Sequence, residues 1–317
     1  HDQAPTAPKP QARRKIQIER EITMSNLDDI FDAPKEKQEQ PQPFDKAAWA
    51  EKKNAEREAV YALIDETADG VRADGGKLQT YLDVQSRFER YSVGNALLIA
   101  AQMSEATRLG DFDYWKDNNA SIKKNERSMR ILDPGNEYTR KDGSIGVSYN
   151  VKKVFDISQT TSKDKTKPAV ARDGRLLIKA LMNKSPVPIS AVDELSDSSM
   201  GAFYDHDKRE IYVRRGMDAA DIFKCLSQEL AHAELAGKDY SRANVGFQAY
   251  CVSYTLCKRY GIDAANYEFK SLPANIRSMD TQEVRAELAV IRDTANEISS
   301  CMARALDRSP KQQEHER

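Results

Sequence analysis

The residues of this 317-residue chain whose types and spacing most suggest chemistry are Glu229 and His232, in the run Gln228-Glu229-Leu230-Ala231-His232. On a helix, side chains at i and i+4 lie one turn apart on one face. Two histidines so placed hold zinc, and the glutamate after the first acts as general base on the zinc-bound water. Glu229 and His232 stand where that base and the second histidine belong; Gln228 stands where the first belongs. A glutamine carbonyl has neither the basicity of imidazole nor the charge of a carboxylate, which makes it a poor zinc ligand. The next helical stretch, Phe247-Gln248-Ala249-Tyr250-Cys251-Val252, offers no Asp, Glu or His as a third ligand. With His232 as the one ligand-like residue left, no metal and no catalysis are expected, and Glu229 is a vestigial base. The alternative is a peptidase that recruits zinc through unusual ligands such as Cys251.

The elements that must position these residues are legible from periodicity and caps. A hairpin is expected from Ala202-Phe203-Tyr204, a turn at Asp205-His206-Asp207-Lys208, and Ile211-Tyr212-Val213, with His206 as a surface residue. Asp218 caps a helix with Ile222, Leu226, Leu230 and Ala233 on one face; another spans about 243–260 and stops at Gly261. A long final helix starts at Asp280, with Glu283 completing a capping box. Upstream, Asp45 caps a helix that Gly75-Gly76 ends, a second carries Leu78 to Phe88, and Ser92 caps a third in which Leu97, Leu98 and Ala101 are buried. Extended segments are expected at Met129–Leu132 and from Gly146 to Ile157, then a helix near 174–183 and a strand near 187–192.

A second constellation is basic and aromatic. Residues 121–155 hold eight cations (Lys123, Lys124, Arg127, Arg130, Arg140, Lys141, Lys152, Lys153) against four anions, an excess of four that suits phosphate contacts. Tyr91, Tyr114, Trp115, Tyr138 and Tyr149 are interleaved with it, and aromatic faces can stack unpaired bases. Trp115 and Tyr91 have a competing reading as core residues. The expected DNA-contact set is Arg90, Asn95, Trp115, Lys123, Lys124, Arg127 and Arg130, with Asn95 alternatively cross-linking local backbone.

Composition sets the frame. A net charge of −1 excludes a globally basic nucleic-acid binder, so any such site rests on local charge segregation. The four cysteines, Cys225, Cys251, Cys257 and Cys301, lie in apolar helical stretches without paired spacing and read as reduced thiols of a cytoplasmic protein. No apolar run of about 18 residues marks a membrane span. Residues 1–43 and 309–317 read as disordered tails; the first residue is His1, and Met24 is a plausible natural start. The fold class is α+β, mostly helical. Its expected parts are a domain over 44–157, a linker over 158–168, a peptidase-like domain over 169–270 made of a hairpin plus helices, and a C-terminal helix over 271–308.

Residues 202–263 resemble the minimal zinc metallopeptidase domain of ArdC-type antirestriction proteins and, more distantly, of the ImmA/IrrE regulators. Phe88-Glu89-Arg90-Tyr91-Ser92-Val93-Gly94-Asn95-Ala96-Leu97-Leu98-Ile99 resembles the ArdC N-terminal domain. So do Gln102, Ala106-Thr107, Phe112 with Trp115, Ile122-Lys123-Lys124-Asn125-Glu126, and Ile131-Leu132. The resemblance implies single-stranded DNA binding by the N-terminal domain, carriage on conjugative or other mobile elements, and protection of incoming DNA from restriction. It also implies that the lost first histidine falls on Gln228 and the lost glutamate ligand near Tyr250. The family's Lys-Lys-Gly-Glu turn is Lys123-Lys124-Asn125-Glu126 here, and asparagine takes the left-handed conformation such a turn needs. The partners expected are single-stranded DNA and a protein of the conjugation or restriction machinery, with no membrane and an open oligomeric state. The cofactor expectation is none, zinc entering only with the peptidase alternative. A third reading is a pure protein-interaction module without DNA binding.

Overall fold

The computed structural model describes residues 45–163 and 173–307. The tails expected at 1–43 and 309–317, and positions 164–168 of the expected linker, lie outside the described residues. The chain divides into residues 1–51 and a second unit, 52–317. The described part of the first is the opening of helix α1 (Lys46–Ala73), capped by the Asp45 carboxylate, which accepts from the N–H groups of Ala47 and Ala48 at 2.9 and 3.1 Å.

In the second unit, Asp74 is both the end of α1 and the N-cap of α2 (Gly75–Arg87). Gly75-Gly76 therefore opens a helix as well as closing one. The reason is steric: a Cβ on Gly75 would lie 1.5 Å from the Phe269 carbonyl oxygen, so the chain can pass there only without a side chain. Ser92 caps α3 (Val93–Gln102) by accepting from the Asn95 N–H at 3.3 Å. Its apolar face buries Leu97 and Leu98 as expected, whereas Ala101, one turn beyond Leu97 near the helix end, is exposed. A short strand β1 (Leu109–Gly110) and helix α4 (Phe112–Asp117) lead to a long hairpin, β2 (Met129–Thr139) and β3 (Ile145–Asp156). Both hairpin partners are antiparallel neighbours of the sheet β1-β3-β2, which leaves β2 at an edge. The hairpin runs well beyond Leu132 because the Pro134-Gly135-Asn136 breakers are absorbed in a register shift between Pro134 and Glu137.

The expected linker begins as packed structure. Ile157–Gln159 form a 3-10 turn, Gln159 and Thr160 are buried, and Thr160 pairs with Ile122. Beyond it come α5 (Gly174–Met182), β4 (Ile189–Val192), the hairpin β5 (Ala202–Asp205) and β6 (Glu210–Arg214), then α6 (Ala219–Glu234), α7 (Arg242–Tyr260), α8 (Ala274–Ser278) and α9 (Thr281–Leu306). The second sheet runs β4-β6-β5, with β4 parallel to β6 and β5 on the edge. Asp218 caps α6, Gly261 at φ 70° ends α7, and Asp280 with Glu283 forms the capping box of α9.

The regions that the sequence divides into two domains share one core. Its buried residues run from Val60 and Ile64 of α1 through Leu97 of α3 and Phe223 of α6 to Ile291 and Met302 of α9. Helix α2 packs on α7, and α9 packs on α3, α5 and α7. Among the described residues, no helix is long and apolar enough to cross a membrane.

Candidate functional site

The N-terminal face is built on an exposed strand edge closed by side chains. Asn95 and Gln102 lie two turns apart on α3, and each clamps a peptide of β2. Asn95 donates to the Leu132 carbonyl and accepts from the Leu132 N–H, both at 2.8 Å. Gln102 does the same at Arg130, at 2.9 and 2.8 Å. The two amides thus stand in for a neighbouring strand, satisfying edge groups that would otherwise be open to another chain. Asn95, included in the expected DNA contacts, therefore has its polar atoms committed to backbone, as its alternative reading held.

Along that face runs a groove of about 480 Å³, lined among others by Arg90, Tyr91, Asn95, Tyr114, Tyr149 and Lys152. Tyr114 lies over Gly110 and accepts from the Arg108 guanidinium at 2.9 and 3.1 Å. The Lys152 ammonium sits 2.8 Å from Asp111, and that contact, first among its causes, holds the Asp111 carboxyl below the usual carboxylate range. Tyr149 is 41% exposed and Tyr138, further out on the hairpin with its ring packed over Gly146, is 50% exposed.

Trp115 does not. It is fully buried with Ala120 and Ile157, and its indole N–H donates to the Phe155 carbonyl at 3.0 Å. Its place in the expected DNA contacts is corrected: both ring faces are covered by protein, and it fixes α4 against β3. Tyr114, Tyr138 and Tyr149, three of the five aromatics interleaved with the cations, are exposed instead.

The expected cations are exposed. Asn125 takes φ 68°, the left-handed conformation required of the turn. The Lys123 ammonium reaches the Ser158 carbonyl at 2.7 Å, and the Gln159 amide bonds Glu126 and the Arg127 carbonyl, tying the turn to the end of β3. Lys124 and Arg127 project from it, and Arg90 stands at the rim of the groove. Arg130 lies directly opposite Lys153 across the hairpin, both exposed, with Glu56 3.7 Å from the Arg130 guanidinium. Like charges directly opposed on a sheet cost stability, which an anion laid across them would relieve.

The peptidase-like constellation is differently filled. Glu229 is 2% exposed, and both of its carboxylate oxygens accept hydrogen bonds. Arg242, the first residue of α7, grips both oxygens, Nη1 to Oε2 at 2.7 Å and Nη2 to Oε1 at 2.5 Å, and the Tyr204 N–H donates to Oε2 at 2.8 Å. A general base needs to face the water it deprotonates, and this carboxylate is buried with three hydrogen bonds on it, two at Oε2 and one at Oε1. His232 is buried beside the Tyr240 hydroxyl, 3.1 Å from Nδ1. Burial, aided by the Arg242 charge, pushes its ring down to about 4. His206, expected at the surface, is half-buried, its ring stacked on Tyr240 at 4.7 Å.

Gln228 and Tyr250 stand where the resemblance puts ligands. Gln228 is half-buried. Tyr250 packs against Tyr267 and Phe269, and its hydroxyl accepts from the Glu268 N–H at 2.6 Å. Cys251, the unusual ligand of the peptidase alternative, is fully buried in the core, and that burial drives its thiol well above the usual range, away from the thiolate a metal needs. Among the described residues, no three His, Cys, Asp or Glu side chains are grouped so as to hold a metal ion. The donor set does not fit one.

Residues 56–175 match the family described as the N-terminal domain of anti-restriction factor ArdC. A protein of Bacillus anthracis described as uncharacterised is 22% identical over 294 residues, covering 73% of this chain and 49% of that protein, so the chain spans about half the length of this curated relative. The Mn(II)-bound crystal structure of the antirestriction ArdC protein from R388 plasmid shares the fold. It has a TM-score of 0.52 and 15% identity, covering 76% of this chain and 98% of that one. The metal-free structure of the same protein gives a TM-score of 0.48 at 15% identity, over 68% and 86% of the two chains.

Proposed function

We propose, from the premise that residues 56–175 place this chain in the ArdC-type antirestriction family through its N-terminal domain, that it binds single-stranded DNA on the face between α3 and the β2–β3 hairpin and serves a mobile element as an antirestriction accessory. The observation that carries this reading is a groove whose rim holds Arg90 and Tyr149, beside the basic turn Lys123-Lys124-Arg127, within the matched residues. Phosphates would be met by Arg90, Lys123, Lys124, Arg127 and Arg130, and bases by the exposed rings of Tyr149 and Tyr138. Asn95 and Trp115 act one step behind, holding the hairpin and α4 in place.

The peptidase-like part, on this reading, works without zinc as a scaffold or as the docking surface for a protein of the conjugation or restriction machinery. Its support is the buried, arginine-paired Glu229 carboxylate together with Gln228 and Tyr250 at the ligand positions. The relative's Mn(II)-bound form describes that protein; the donor set here argues against the same occupancy.

Photocrosslinking tests the DNA reading. A single-stranded oligonucleotide carrying 5-bromouracil is irradiated with the full chain, and the linked peptides are identified by mass spectrometry. Crosslinks at Tyr149 or Tyr138 are expected. Crosslinks confined to residues 202–263, or none at all, would overturn the assignment of the face.

A further inference from the structure

The buried motif glutamate has a cation, and it is supplied by the chain itself. We infer that the Arg242 guanidinium takes the place of a metal ion in this fold, joining the elements a metal would join and keeping a metal out.

Three observations carry this. First, Glu229 is almost wholly buried, and a carboxylate removed from water needs a cation and hydrogen-bond donors; Arg242 and the Tyr204 N–H supply them. Second, Arg242 occupies the first turn of α7, where the helix dipole disfavours a positive charge, so its presence there calls for a partner, and Glu229 is that partner. Third, the pair with its backbone bond ties together the edge strand β5, helix α6 and helix α7. Two of these, the motif helix and the next helix, are the elements that a ligand set on Gln228, His232 and Tyr250 would have linked, and the Tyr204 N–H adds the hairpin. The ring of Phe203 lies 5.2 Å from the guanidinium, within reach of a cation–π contact. A fixed positive charge at this point repels a divalent cation, and a guanidinium, unlike a metal, cannot be chelated away.

The inference rests on the reading that the peptidase-like part works without metal, and the two fail differently. The probe is zinc chloride, titrated calorimetrically into the native full chain, into Gln228→His with Tyr250→Glu, and into the same pair with Arg242→Ala. The native chain is expected to take up no zinc. The chain with restored ligands and Arg242 removed is expected to bind one ion at least tenfold more tightly than the chain that keeps Arg242. Stoichiometric uptake by the native chain would sink the metal-free reading. Equal affinity with and without Arg242 would sink the role given to the guanidinium.

A thermal cycle decides the point independently of whether the ligand variants fold. Arg242→Gln is expected to lower the melting temperature by about 5–10 °C, because a buried carboxylate is left alone. Adding Glu229→Gln should restore part of the loss, since an amide pair needs no counter-charge. Additive losses in the double variant would contradict the pairing. Chelator should leave the native melting temperature unchanged, and a fall of several degrees would contradict the inference.

Discussion

Replacing Asn95 by alanine tests whether α3 acts as the missing strand beside β2. The substitution removes one donated and one accepted hydrogen bond, both 2.8 Å, to the Leu132 peptide. It leaves an N–H and a C=O on a partly buried strand edge. Each orphaned group costs about 1–2 kcal/mol in such a position, so the total is about 2–4 kcal/mol. With a urea m-value of about 3 kcal/mol/M for a unit of this size, the unfolding midpoint should fall by roughly 1 M at unchanged slope. Gln102→Ala, whose amide meets Arg130 nearer to solvent, should cost less, on the order of 1 kcal/mol. Asn95→Asp is the sharper probe. Its carboxylate can accept from the Leu132 N–H but faces the Leu132 carbonyl with negative charge, so at neutral pH it should be at least as harmful as alanine. When protonated it regains a donor, so its deficit relative to the parent chain, measured at the same pH, should shrink under acid conditions. A midpoint shift below about 0.3 M for alanine, or an Asp variant as stable as the parent at neutral pH, would refute the clamp.

Further expectations concern the core and the site. His232 is held near 4 by burial first and the Arg242 charge second, against about 6.5 in an unfolded chain. As pH falls below about 6.5 the unfolded chain takes up that proton first. The contribution of up to about 3 kcal/mol is therefore fully present above that pH and lost progressively towards pH 4. Denaturation midpoints at several pH values should lose this part of their slope in His232→Gln, and an unchanged slope would assign the acid sensitivity elsewhere. Gly75→Ala, which in an ordinary helix would stabilise by about 1 kcal/mol, should here destabilise by about 2 kcal/mol or more, because its Cβ would meet the Phe269 carbonyl oxygen at 1.5 Å. A thermal melt at or above the parent's would contradict that packing. Tyr149→Ala should weaken single-strand affinity by about 1–3 kcal/mol with an unchanged melting temperature. Trp115→Ala should do the reverse, chiefly costing about 3–5 kcal/mol of stability, and the two readouts in one experiment separate stacking from core roles.

What was legible in the sequence was local. Ser92, Asp218 and Asp280 mark helix starts because a cap needs only a short polar side chain within three residues of the N–H groups it serves. The basic, aromatic-rich turn was legible for the same reason, down to the left-handed Asn125. The β5–β6 hairpin and the motif helix followed from alternation and period. What escaped depends on distant parts of the chain. Glu229 and Arg242 lie 13 residues apart on different helices, and only the fold brings them into bidentate contact. Trp115 reads from the sequence either as a stacking ring or as core, because the groups that bury it come from residues 120, 155 and 157. The hairpin's outer half was hidden by Pro134, Gly135 and Asn136, breakers that a bulge on an edge strand accommodates. The parallel pairing of β4 with β6 crosses the β5–β6 hairpin, and neither strand's own sequence encodes it.

Fluorescence anisotropy of labelled single-stranded and duplex oligonucleotides, titrated with the full chain across a salt series, tests the DNA reading most directly. The prediction is preference for the single strand, with log affinity falling linearly in log salt. Five exposed cations, Arg90, Lys123, Lys124, Arg127 and Arg130, set the slope at about −3.5 if all meet phosphates, and Lys123→Ala with Lys124→Ala should reduce its magnitude by about 1.4. No binding at low salt, or binding whose salt slope is untouched by those two substitutions, would contradict it and leave a protein-interaction module as the better description.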